Sequence, residues 1–289
     1  MRLVTSIYTM EQLNNLSSVL DYALLMSKDA SLNYKDLNLN EAISFCKDKG
    51  IGIILSMDKI YQPSNISFAE AFLELYKDSC EYFYVTDLGV CNLAIKKGLI
   101  DRVIFDPKTM VTNSLDLGIY QSFGFNAVGV SSEITINDLK EIVSKTKNNV
   151  FYQVFGYRLM FYSKRHLISL YSLKNNDNYP KDDVYFKEAT RNDYFPGFEN
   201  DNGTVMYRSY IISLLEYLED LRNIKYGFLE SYRIEDKKMK QVLKLYQKVI
   251  NGTPDIELCQ AMFNKLGFYV EEGFTKKDSV YQKEELKSE

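Results

Sequence analysis

Tyr82-Phe-Tyr-Val-Thr-Asp-Leu-Gly-Val-Cys-Asn-Leu-Ala-Ile-Lys-Lys97 holds one complete strand-to-helix step. Tyr82 to Thr86 is a short apolar run that reads as a strand, Asp87 follows it, and Leu88 to Lys97 has the spacing of a helix. The same step recurs on both sides. Leu3 to Ile7, Tyr22 to Met26, Ile51 to Met57, Arg102 to Phe105, Ala127 to Val130 and Val150 to Phe155 read as further strands. Helices fall between them: one capped by Thr9 with Met10, Leu13, Leu16 and Val19 in phase, then Asn40 to Lys49 ended by Gly50, Ile66 to Lys77, Ser114 to Phe123 and Ile136 to Lys145. Seven βα steps in about 155 residues predict a parallel sheet. Periodicity leaves a closed barrel and an open doubly wound sheet both standing.

Downstream the rhythm breaks. Ser172 to Arg208 is polar, with Pro180, Pro196-Gly197 and seven Tyr and Phe between Tyr171 and Phe198, and reads as an insertion: a surface loop or one covering a partner or substrate. A helix over Ser209 to Leu221, a strand over Lys225 to Glu230 and a helix over Glu235 to Val249 then supply an eighth unit. The expected domain spans residues 1–250 including the insertion at 172–208, followed by an extension over 251–289 that is charged and frayed from about 276.

Composition narrows the class. The chain has 289 residues, 46% of them apolar, no run of about 18 apolar residues and a short polar start, which predicts a soluble cytoplasmic protein with no membrane span. Cys46, Cys80, Cys91 and Cys259 are isolated, with no C-x-x-C pair, and are expected to be reduced and packed. A net charge of -4 argues against strong sequence-independent attraction of the isolated chain to RNA.

If the sheet closes, the functional face lies at the C-terminal ends of the strands. Asp58-Lys59, Asp87, Asp106, Lys108, Ser132-Glu133, Gly156-Tyr157-Arg158 and Glu230 to Arg233 would form its rim. Such a rim could take a small anion, or a base stacked on Tyr157 or Tyr232; the same polar residues are also ordinary helix caps. Lys164-Arg165, with Arg158 nearby, makes a small basic cluster suited to RNA or an acidic partner, or a solvated helix face.

The stretch Gln153-Val-Phe-Gly-Tyr-Arg-Leu-Met-Phe-Tyr-Ser-Lys-Arg-His-Leu-Ile-Ser169 resembles the signature of the U32 or collagenase-like peptidase family, which runs acidic residue, glycine, cysteine, serine, cysteine, serine. Gly156, Ser163, Arg165 and Ser169 match; Gln153 replaces the acid, Leu159 the first cysteine and His166 the second. Tyr84 to Val90, Val111 to Ser114 and Gly129 to Ile134 continue the likeness, which makes Asp87, Asn113 and Glu133 the candidate catalytic residues. Asn200 to Thr204 and Leu266 to Tyr269 resemble a short subgroup paired with a longer U32 protein in prephenate-dependent hydroxylation of the tRNA wobble uridine.

The resemblance implies a TIM-type (β/α)8 barrel, irregular where the insertion precedes the last βα unit. Family members active in hydroxylation are expected to hold an iron–sulfur cluster on cysteines. With both checked positions replaced, no metal or cofactor is expected here, and the cluster is expected only on the longer partner. His166 is the single histidine, so no two-histidine metal site can be written. Ser163, His166 and Ser169 would share one short helix, which does not make a triad, and His166 is expected to fill the old ligand pocket or cap the helix. The expected function is a cluster-free accessory subunit reaching tRNA through a complex. The alternative is an independent barrel enzyme, a hydrolase or one acting on a small acid such as prephenate.

Overall fold

A computed structural model describes residues 1–146, 149–190, 192–253 and 255–276. In chain order its elements are β1 (Arg2–Ile7), α1 (Met10–Leu16), β2 (Tyr22–Leu25), α2 (Leu39–Lys49), β3 (Gly52–Met57), α3 (Ile66–Tyr76), β4 (Tyr82–Val85), α4 (Leu88–Lys96), β5 (Val103–Phe105), α5 (Ser114–Ser122), β6 (Ala127–Gly129) and α6 (Ile136–Lys145). They continue with β7 (Val150–Ser163), α7 (Leu167–Asn175), β8 (Val184–Phe186), β9 (Phe195–Asn200), β10 (Gly203–Ser213), β11 (Tyr226–Leu229), α8 (Asp236–Ile250) and α9 (Ile256–Asn264).

Strands β1 to β7 pair in sequence, and β11 closes the ring by pairing in parallel with both β7 and β1. The result is the expected TIM-type (β/α)8 barrel. Its strands are apolar on both faces because each face is covered, one by the opposite barrel wall and one by helices. Val4, Leu24, Ile54, Tyr84, Ile104, Phe151 and Phe228 fill the interior; Leu3, Leu25, Leu55, Phe83, Val85 and Phe105 pack outward under the helices. Short polar side chains start the helices: Thr9 accepts from Gln12 N, Asn38 from Glu41 N, and Thr135 forms a reciprocal box with Asp138.

Three expectations about the insertion need correction. Strand β7 does not stop at Phe155 but runs fourteen residues to Ser163. Residues 209–221 are not one helix: β10 continues to Ser213 and only a single 3₁₀ turn, Leu215–Tyr217, follows. Between them lies no plain loop but α7 and an antiparallel sheet in the order β7, β10, β9, β8. The physical reason is partnership. Ile211 and Ile212 also suit a helix, but the far half of β7 offers them ladder bonds, with Ile211 opposite Tyr157 and Ile212 opposite Gly156.

Helix α7 therefore sits on the inserted sheet rather than on the barrel's outer wall. Leu215 and Leu218, with α8 and α9, cover that wall instead, and the Phe155 ring meets Tyr246, Phe263 and Phe268 edge-on at 6.1, 6.0 and 5.6 Å. The extension after residue 250 thus packs on the barrel through Cys259, Phe263, Leu266 and Phe268; the fraying expected from about 276 lies outside the described residues, which end at 276. Among the described residues no helix is long and apolar enough to cross a membrane.

Candidate functional site

The inserted sheet lies over the C-terminal mouth of the barrel. Phe198 of β9 with Val205 and Tyr207 of β10 join the interior cluster, and Tyr207 stacks on Tyr232 with ring centroids 4.5 Å apart. Beneath this aromatic lid the strand ends hold a buried polar network. Ser6 and Tyr8 hydroxyls each donate to Glu230 Oε1 at 2.7 Å, and the Tyr232 N–H donates to the same oxygen at 2.9 Å. Asn33 Nδ2 bridges the Tyr8 and Tyr207 hydroxyls at 3.2 and 3.0 Å.

Across the mouth, the Tyr84 hydroxyl donates to Asp106 Oδ2 at 2.6 Å, and Lys108 Nζ lies 3.1 Å from that oxygen while also bonding Tyr84. Lys108 reaches inward from a left-handed backbone with φ of 65°, held by its own N–H on Asp106 Oδ1 at 2.9 Å. Asp58 Oδ1 accepts from Leu32 N at 2.7 Å and from Ser56 Oγ at 2.9 Å. Burial raises the Asp58 and Glu230 carboxyls above the usual range, and the nearby Lys108 charge and the hydrogen bonds just described oppose that rise. Burial and the Asp106 charge push the Tyr84 phenol well above its ordinary value. These groups can hold or exchange protons close to a small bound molecule.

A cavity of about 160 Å³ opens beside this network, between the ends of β5, β6 and β7. Gln153 and Leu159 line it together with Asp106, Lys108, Glu133 and Arg158. Gln153 Nε2 donates to the Phe155 and Tyr157 carbonyls at 3.3 and 3.0 Å, bracing the turn at Gly156. Gly156 has φ of 104°, and a Cβ there would stand 2.3 Å from the Glu230 carbonyl oxygen. This glycine lets β7 bulge past β11, where the ladder register shifts between Phe228 and Leu229.

The remaining signature residues lie elsewhere. Ser163 ends β7, His166 precedes α7 and Ser169 sits in its first turn, so the expected common helix is corrected: Ser163 is on a strand. Glu199 is buried among them. It accepts from Ile168 N at 2.8 Å, Ser169 N at 3.2 Å, Thr204 Oγ1 at 3.2 Å and the Ser169 hydroxyl, while His166 Nδ1 is 3.7 Å away. Here the carboxylate stands between serine and histidine, whereas nucleophilic catalysis needs the imidazole between them. His166 is half exposed and forms no side-chain cap bond.

Of the three catalytic candidates, Asp87 and Asn113 serve as helix caps. Asp87 Oδ1 accepts from Gly89 N at 2.7 Å and Val90 N at 3.2 Å; Asn113 Oδ1 accepts from Leu115 N at 3.0 Å and Asp116 N at 2.9 Å. Glu133 lies on the cavity rim and pairs with Arg208 at 3.1 Å. The basic cluster is not formed. Lys164 and Arg165 are exposed, but Arg158 is 5% exposed, pointing to the Ser132 carbonyl and Tyr152. Six residues along an extended strand separate them by roughly 20 Å. Tyr232 is buried in the lid stack, and Tyr157 is half-buried in an open groove beside Tyr185 and Arg233.

Sequence reasoning found the rim positions Asp58, Asp106, Lys108 and Glu230 but missed Ser6, Tyr8, Tyr84 and Tyr207, which complete the network. In a strand apolar on both faces, alternation does not say which set turns inward.

All four cysteines are buried. Burial pushes the Cys46, Cys80 and Cys91 thiols up to about 12, and every cysteine belongs to the layer between strands and helices, away from the mouth. A cluster needs converging thiolates, so these donors do not fit an iron–sulfur group.

Residues 26–278 match the model of a family described as Peptidase family U32. Among solved structures, the U32 peptidase Mk0906 is 11% identical with a TM-score of 0.50, covering 80% of this chain and 92% of its own. The C-terminal domain of a putative chitinase from Desulfitobacterium hafniense DCB-2 follows at 11% identity and a TM-score of 0.46, covering 86% of this chain and 99% of its own. No curated protein matches.

Proposed function

Because the chain belongs to peptidase family U32, we propose that it is the cluster-free subunit of a cytoplasmic heteromer in which a longer, cysteine-bearing U32 protein hydroxylates the wobble uridine of tRNA. The observation that carries this reading is the donor set. Leu159 and His166 occupy the two signature cysteine positions, and the four cysteines the chain has are buried and packed beneath helices. The barrel itself closes without thiolates at these positions, which suits a chain that binds a partner rather than its own cluster.

Exposed apolar side chains support a partner. Phe68 and Leu75 on α3 are 69% and 70% exposed, and Leu115 and Ile119 on α5 are 81% and 61% exposed. Lys164 and Arg165 are the exposed cations proposed for RNA or partner contact. The test is an affinity pull-down of the tagged chain from its own cells, joined to an assay of wobble-uridine hydroxylation after deletion. Recovery of a cysteine-rich U32 protein together with loss of the modification is expected. Recovery of the chain alone with the modification intact overturns the reading.

The buried network at the mouth favours a second reading, an independent barrel enzyme acting on a small acid. Burial raises the Glu230 and Asp58 carboxyls above the ordinary carboxylate range, which suits them to hold or pass a proton beside a bound acid. A hydrolase with a serine triad is not favoured, given the position of Glu199 between Ser169 and His166.

A further inference from the structure

Arg158 is a buried cation without a counter-ion. Its Nη1 donates to the Ser132 carbonyl at 2.9 Å and its Nη2 to the Tyr152 hydroxyl at 3.1 Å, both neutral acceptors, and Nε has no acceptor at all. The Tyr152 ring, 5.5 Å from the guanidinium, offsets a small part of the charge. Among the described residues no carboxylate pairs with it. Of the other charged side chains lining the cavity, Lys108 pairs with Asp106 at 3.1 Å and Glu133 with Arg208 at 3.1 Å. Arg158, which lines the same 160 Å³ cavity, has no such partner among the described residues.

A buried, uncompensated charge is strongly unfavourable unless an opposite charge joins it. From the geometry we infer that this cavity is a binding site for a small organic monoanion, a carboxylate whose negative end is drawn to Arg158 and whose apolar body lies against Leu159, Phe151 and Phe228. Guanidinium suits such a ligand because it has five N–H donors, of which the protein engages two here. The size of the cavity restricts the ligand to roughly one ring or a short chain. The site is independent of the subunit reading, since it needs no partner and no RNA, and it deepens the small-acid reading, on which it rests, by naming the ligand's charge and size and the residue that holds it.

The test uses the purified full chain with sodium benzoate as probe and benzamide as its uncharged isostere, read by calorimetric titration and by the thermal midpoint. Benzoate at about ten times its dissociation constant should raise the midpoint by roughly 3 °C, and benzamide should not. Arg158→Met should fold as well as the parent and lose the response. Leu159→Trp, which narrows the cavity and leaves the charge in place, should weaken it as well, so a folding failure of the first variant does not shelter the proposal. Equal responses to benzoate and benzamide, no response to either, a response that survives in the folded Arg158→Met chain, or one undiminished in the folded Leu159→Trp chain overturns it.

Discussion

Glu199 shows how a single carboxylate can hold together parts of the chain that are distant in sequence. Its side chain is 1% exposed, and it joins the start of α7 to the β9–β10 hairpin through two backbone N–H groups and two hydroxyls. Burial pushes its carboxyl up, but the Ser169, Ile168 and Thr204 bonds outweigh burial and leave it below the ordinary glutamate value. A depressed folded-state pKa contributes stability above the unfolded value, and that stability is lost as pH falls through the folded one. Glu199→Gln should therefore cost about 2 kcal/mol at pH 7, and the difference from the parent should shrink below a pH of about 4. Denaturant titrations across that range check it; a difference that is constant with pH would show that the charge contributes nothing. Of these partners, the sequence revealed Ser169 by its motif, whereas Glu199 lay inside a segment read as a loop.

At the scale of elements, β7 is the decisive strand because it belongs to two sheets. Its first half completes the barrel between β6 and β11, and its second half starts the antiparallel sheet over the mouth. The hinge is Gly156, where a positive φ and the contact with the Glu230 backbone coincide. Gly156→Ala should cost about 3 kcal/mol or more, combining left-handed strain with a Cβ that has no room. Equilibrium unfolding reads this directly, and a loss under about 1 kcal/mol would mean the bulge relaxes around the methyl group. The glycine was legible in the sequence, but its reason was not: the atom it makes room for is 74 residues later.

At the scale of the whole molecule, the barrel lacks a docked helix after β7 and recovers the missing cover from its C-terminal end. Cys259 and Phe263 of α9 are 3% and 2% exposed against that wall. If the extension after residue 250 were a mere appendage, it would be dispensable. Removing residues 252–289 should instead lower stability by about 4 kcal/mol, the order expected for exposing Phe155 and deleting the side chains that cover it. A truncated chain that unfolds at the parent's midpoint would show that the extension adds no stability to the barrel.

The sequence by itself determined the first six βα steps and the start of the seventh strand, the last strand and helix, and the rim positions, because each rests on interactions within a few residues: a strand's apolar run, a capping side chain such as Thr9 or Asp87, a stop at Gly50. It also determined that the signature thiols are replaced, since that is a matter of residue identity. Closure of the barrel, the inward turn of Tyr84 and Tyr8, the folding of residues 195–213 into strands over the mouth, and the isolation of Arg158 were decided only in three dimensions. Each depends on a partner brought from far along the chain. Local propensity cannot weigh a ladder bond, a covered face or a missing counter-ion that exists only after the sheet has closed.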